Sequence, residues 1–170
     1  GRQPAWPGGG HRASVAKVLG RFGHHEAPAT GFLIWGDSHA QSITPAVTLA
    51  AEKYQRAGTL ASESGCPPLL GVKDVRAETP GRCPAVNDKV LESVAPGQIV
   101  FLVARWPYYV SRSIINKEGP AWLVDEQTKR ISEEENLRVL TRGLIRTITA
   151  LQEKGAYPVL VSSPPEFFRS

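Results

Sequence analysis

The sequence predicts an α/β fold, a three-layer α/β/α sandwich in which helices cover both faces of a parallel sheet. Short apolar runs of strand length alternate along the chain with stretches whose apolar residues recur at helical spacing. Each run stops abruptly at glycine, proline or polar residues, as buried strands do at the edge of a sheet. A content of 41% hydrophobic against 21% charged residues lets 170 residues bury one core. Strands that alternate with helices feed a parallel sheet, because each crossover needs a helix to return the chain to the same edge.

In order, residues 1–11 are rich in Gly and Pro and read as a linker, and 13–22 read as a short helix. A Pro/Ala connector, 26–30, leads to the apolar run 31–35, which ends at Gly36-Asp37. Ile43, Val47, Ala50 and Tyr54 then predict a helix over 44–57. Thr44 is its expected cap, Pro45 lies in its first turn where a missing N–H is harmless, and Gly58 ends it. Residues 59–62 form the second expected strand, and 63–83 a long loop carrying both cysteines. Val86, Val90, Leu91 and Val94 define an amphipathic helix closed by Pro96-Gly97, followed by the strand 99–103. The polar loop 105–131 carries Trp106, Tyr108, Tyr109 and Trp122, whose rings either stack on a sugar or pack the loop onto the domain. Ser132-Glu133-Glu134-Glu135 is a capping box, and Leu137, Leu140, Leu144, Ile148 and Leu151 form the buried stripe of the helix behind it. Lys154-Gly155 stops that helix, and 157–162 is the fourth strand. The expected organisation is a linker and short helix over 1–29 and an α/β domain over 30–170.

Composition excludes several classes. The net charge of +4 comes from scattered residues with no block of five Lys/Arg, so no nucleic-acid surface is expected. No apolar run approaches the roughly 20 residues that span a bilayer. Cys66 and Cys83, each followed by proline, read either as a disulfide formed in an oxidising compartment or as two free thiols. The two cysteines are far apart with no nearby histidine, so no metal motif fits. The absence of methionine, including at position 1, reads as a fragment or processed product, expected to be monomeric.

In a parallel sheet covered on both faces, ligands bind beyond the carboxyl ends of the strands. That rule selects 36–39, 62–66, 105–108 and 162–166. Ser38 then stands out. A serine in the tight turn between a buried strand and a helix exposes its hydroxyl beside backbone N–H groups able to hold an oxyanion. Gly36 permits the sharp exit, and the Asp37 carboxylate bonds backbone groups to organise the turn. The competing reading of Ser38 is a helix cap, and His39 reads equally as a helix-start residue or a substrate contact.

Trp35-Gly36-Asp37-Ser38-His39-Ala40 resembles the first block of the SGNH hydrolase superfamily. More narrowly it resembles the SGNH domain fused to acyltransferase-3 membrane proteins that O-acetylate bacterial surface polysaccharides. Ser64-Gly65-Cys66-Pro67-Pro68, Val103-Ala104-Arg105-Trp106 and Ser163-Pro164-Pro165-Glu166 resemble its later blocks, in the same order. The resemblance implies a flavodoxin-like fold whose C-terminal part is missing here. It makes Ser38 the nucleophile, with the N–H groups of Ser38 and Gly65 in the oxyanion hole. Arg105-Trp106 occupies the place of the superfamily's asparagine, so either Arg105 donates to the oxyanion or substrate or the hole has fewer donors; Arg105 reads equally as a surface charge paired with a loop carboxylate, and Trp106 and His39 are the other candidate contacts to substrate. The family's Asp-x-x-His block has no counterpart among His11, His24, His25 and His39, so the catalytic Asp and His are expected outside these residues and the fragment alone to be weakly active or inactive. The implied reaction moves an acyl group from a donor to a carbohydrate acceptor, with an integral-membrane acyltransferase domain upstream and this domain in the periplasm. Ester hydrolysis is the same chemistry with water as acceptor, and neither reaction calls for a metal or a soluble cofactor. A catalytically silent carbohydrate-binding module of the same fold, or a receiver-type domain, is the alternative class.

Overall fold

A computed structural model of the chain describes residues 19–27, 31–75, 77, 81–110 and 121–163. Five strands form one sheet in the order β1-β3-β2-β5-β7: β1 (Leu19–Gly23), β2 (Phe32–Gly36), β3 (Ala57–Ser62), β5 (Ile99–Val103) and β7 (Tyr157–Val161). Strands β3, β2, β5 and β7 run parallel, in registers such as Trp35 opposite Ala61 and Leu102, and β1 pairs antiparallel at the edge. Helix α1 (Ser38–Lys53) covers one face, packing Ala40, Ile43 and Val47 on Phe32, Ile34 and Phe101. Helices α2 (Arg82–Ser93) and α4 (Glu133–Glu153) cover the other, where Leu33, Trp35, Val100 and Leu102 meet Val86, Val90 and Leu151. Chain order therefore reverses direction across β2, with α1 on one side of the sheet and α2 on the other, which puts a crevice at the carboxyl end of β2. A short helix α3 (Trp106–Val110) and a two-stranded ribbon of β4 (Lys73–Asp74) with β6 (Leu123–Val124) complete the described structure. None of its helices is long and apolar enough to cross a membrane.

The α/β sandwich is the predicted one, but four local expectations are overturned. Residues 19–22, expected within a helix, form β1. Pairing with β3 and the edge-to-face packing of Phe22 on Phe32, at 5.5 Å, override a weak helical pattern already broken by Gly20 and Gly23. The expected helix residues 13–18 lie outside the described residues. Helix α1 begins at Ser38 rather than after Thr44, because Asp37 caps it by accepting from the His39 N–H at 2.8 Å. Pro45 sits inside the helix on its exposed side, and the Gln41 carbonyl that loses its donor belongs to an exposed residue too. The helix ends at Lys53, not at Gly58. Gln55 adopts φ 52°, its N–H reaches the Glu52 carbonyl, and the Arg56 N–H reaches that of Ala51 at 2.7 Å, a Schellman stop without glycine. Gly58 lies within β3. Finally, Leu137 is 48% exposed. The buried face of α4 is instead Asn136, Val139, Leu140, Gly143, Thr147 and Leu151, while the capping box holds through Ser132 accepting from the Glu135 N–H.

Buried polar groups on α4 capture the long loops. Asn136 accepts from the Leu123 N–H and donates to the Tyr109 carbonyl, and Thr147 accepts from the Leu70 N–H. Asp125 adds an ionic clasp, accepting from Arg142 through both oxygens at 2.7 and 2.8 Å and from Thr128. The Arg142 hydrogen bonds hold its carboxyl well below the usual carboxylate range, against the opposing effect of burial. A depressed folded pKa stabilises the protein fully above the unfolded pKa, near 4, and that contribution disappears as pH falls through the folded value. Asp125→Asn is accordingly expected to lose about 2 kcal/mol at pH 7. Unfolding curves of the two proteins should converge as the pH is lowered below about 4.

Candidate active site

The site is built where β2 meets α1. A Cβ on Gly36 would collide with the Val103 carbonyl of the neighbouring strand, so only glycine lets the chain leave β2 this close to β5. Gly36→Ala is expected to displace the turn and lower the melting temperature by roughly 5–10 °C, as a 2–3 kcal/mol strain does in a domain of this size. Asp37 follows, 2% exposed. One carboxylate oxygen accepts from the His39 N–H, and the other from the Arg105 N–H at 3.0 Å and the Tyr109 hydroxyl at 2.9 Å. Three donors, one at the start of α1 and two from the segment after β5, thus converge on one side chain, and the Asp37 N–H itself donates to the Val103 carbonyl. The aspartate locks the turn after β2 onto the turn after β5.

Ser38 is the first residue of α1 and is exposed, and no hydrogen bond of its hydroxyl is found among the described residues. The cap is therefore Asp37, not Ser38, and the first N–H groups of α1 provide the positive end of the helix dipole beside the hydroxyl. The His39 ring is 31% exposed, and its Nδ1 is buried, 3.8 Å from an Asp37 oxygen, without a hydrogen-bond partner among the described residues.

Gly65 sits in the turn from Glu63 to Cys66, closed by the Cys66 N–H donating to the Glu63 carbonyl at 3.0 Å. Its φ of 71° suits glycine, and among the described residues a Cβ there would meet nothing within 4 Å. The Glu63 N–H donates to the Gly36 carbonyl at 3.1 Å, and Gln41 donates to Ser62 Oγ at 3.0 Å, which brings this turn against the Ser38 turn. Cys66 and Cys83 form a disulfide, with Cα atoms 5.1 Å apart, and both are buried. Beneath it, buried Asn87 accepts from Trp35 Nε1 and donates to the carbonyls of Pro67 and Leu69.

On the far side of the crevice the Arg105 guanidinium lies over the Tyr108 ring, 5.5 Å from its centroid. Trp106 donates through Nε1 to the Val161 carbonyl at 2.8 Å, and its N–H to Ser163 Oγ, which in turn donates to the Ala104 carbonyl. The turn after β7 is thereby tied to the turn after β5. Residues 164–166 of the fourth selected segment lie outside the described residues, as does His11; His24 and His25 lie in the turn after β1, away from the carboxyl ends.

Tyr109 corrects the reading of the aromatic loop. It is 1% exposed, so it offers no face to a sugar and acts instead as the donor that holds Asp37. Burial, then the neighbouring Asp37 charge, pushes its hydroxyl far above the usual tyrosine range, which keeps it protonated and donating. Asn87 and Asn136 were not indicated by apolar spacing, since each looks like an interruption of a helix face. The signal that could have found them is a small amide in the middle of an otherwise buried stripe. Among the described residues no group of three or more His, Cys, Asp or Glu side chains is placed to hold a metal ion.

A doubly wound sheet with a serine in the tight turn after its central strand has the layout of an α/β acyl-ester enzyme. The family model for the SGNH domain fused to AT3 domains matches residues 11–170, and the chain belongs to that family. Membership gives the class of chemistry, acyl transfer or ester hydrolysis. Comparison with curated proteins and with solved structures finds no significant match.

Proposed function

We propose that this domain passes an acyl group, by way of an ester on Ser38, to a hydroxyl of a bacterial surface carbohydrate. What carries the reading is the exposed Ser38 hydroxyl at the start of α1, in a turn immobilised by Asp37 and lying against the Gly65 turn. In the first half-reaction the Ser38 oxygen bonds to the acyl carbon, the bond to the donor breaks, and the hydroxyl proton moves through a base to the leaving group. The N–H groups of Ser38 and Gly65 hold the oxyanion meanwhile. In the second half, the sugar hydroxyl gives its proton to the base as its oxygen bonds to the acyl carbon, the bond to the Ser38 oxygen breaks, and the base returns that proton to Ser38. His39 follows Ser38 directly and faces Asp37, so we assign it to the pocket wall, with Arg105 and Trp106 opposite. The base is assigned to the family's Asp-x-x-His block, which these 170 residues do not contain. Fusion to AT3 domains supports an integral-membrane partner upstream that delivers the acyl group, with this domain on the periplasmic side. The buried disulfide fits that compartment.

The reading is tested by treating the intact protein with a fluorophosphonate and mapping the adduct by peptide mass spectrometry. A single adduct at Ser38 is the expected outcome. Acyl transfer that continues with Ser38 unmodified would refute the mechanism, and release of free acid without transfer to any carbohydrate would assign the protein to hydrolysis.

A further inference from the structure

We propose that the Cys66–Cys83 disulfide and the Arg82–Glu63 ion pair are a positioning device for acyl transfer, holding the Gly65 turn in register with Ser38. The proposal rests on the acyl-transfer reading of Ser38. Gly65 is exposed, and among the described residues nothing would lie within 4 Å of a Cβ at that position, so none of them packs against its Cα to fix it. The turn from Glu63 to Cys66 is anchored at both ends instead. Its start is bonded to the Ser38 turn through the Glu63 N–H and the Gly36 carbonyl. Its two outward links, Glu63 to Arg82 and Cys66 to Cys83, both reach the first two residues of α2. Helix α2 is in turn held to the core by Val86, Val90 and Val94.

The chain just beyond the turn has separate supports. Pro67 and Leu69 are bonded to Asn87, and Leu70 is bonded to Thr147 and Arg146. Opening the disulfide therefore frees the Cys66 end of the turn, while Glu63, the sheet, α2 and the loop after residue 67 keep their own supports. A backbone donor is effective only when it is held at the site where the oxyanion forms, so the loss falls on the chemical step rather than on the fold.

The test compares intact wild-type protein with Cys66→Ala/Cys83→Ala and with Arg82→Gln, which perturbs only the exposed ion pair. The double variant is expected to keep its circular dichroism and cooperative unfolding, to lose about 10- to 100-fold in kcat with KM for the acyl donor within a factor of about two, and to exchange the Cys66 amide faster. Arg82→Gln is expected to lose a few-fold, again in kcat. A folded double variant with wild-type kcat overturns the proposal, as does a loss of rate that only follows the folded fraction. Wild-type protein that never reacts at Ser38 removes the acyl-transfer reading, and the proposal with it. Labelled wild type with an equally active double variant removes the proposal alone.

Discussion

Alanine at position 38 is expected to lower acyl transfer by about 10⁴- to 10⁶-fold, the range seen when a nucleophile is removed and only binding and oxyanion contacts remain. The melting temperature should stay within about 2 °C of wild type. Both parts follow from the geometry. The hydroxyl supports no hydrogen bond among the described residues, and α1 is capped by the carboxylate of the preceding residue, so alanine removes no cap and adds a good helix former. Serine as a mere helix cap predicts the reverse, a stability loss near 1 kcal/mol with the rate untouched. Initial rates and thermal melts on the same preparations decide between them.

Asp37→Ala is expected to have the largest effect on stability, a loss of about 3–5 kcal/mol. It leaves the Arg105 N–H and the buried Tyr109 hydroxyl without an acceptor, and uncaps α1 at the His39 N–H. In a domain of this size that loss lowers the melting temperature by roughly 8–15 °C. Tyr109→Phe provides the graded comparison. It removes one donor and leaves the carboxylate its two backbone partners, so the expected loss is about 1–2 kcal/mol. Equal losses in the two variants, read from denaturant midpoints at constant slope, would show that Asp37 is not the hub joining the turns.

Much of the candidate site's local geometry is legible in the sequence because it depends on short-range chemistry. Gly36, Asp37 and Ser38 are adjacent, and an apolar run ending at such a triplet can be recognised without knowing what packs on it. The rule about strand ends selects the segments 62–66 and 105–108, and the family resemblance singles out Gly65 and Arg105 within them. Neither identifies their neighbours. Tyr109 lies 72 residues from Asp37, and its buried bond leaves no periodic trace. Pro45 points to a first turn at Thr44, whereas the Asp37 cap starts α1 earlier and the exposed position of Gln41 and Pro45 makes a proline within the helix tolerable. The stop at Gln55 was missed because a left-handed residue is usually glycine.

The sequence by itself determined the alternation of strands and helices, the capping box at Ser132, the Lys154-Gly155 stop and the turn that presents Ser38, since each is governed by side chains within a few residues of one another. Only the tertiary structure decided that residues 19–23 are an edge strand, that Leu137 faces solvent, and that Asn87, Asn136 and Thr147 are buried. Those outcomes depend on partners far along the chain. A strand acquires its hydrogen bonds from another strand, and a polar side chain is stable in the core only when distant backbone groups arrive to satisfy it.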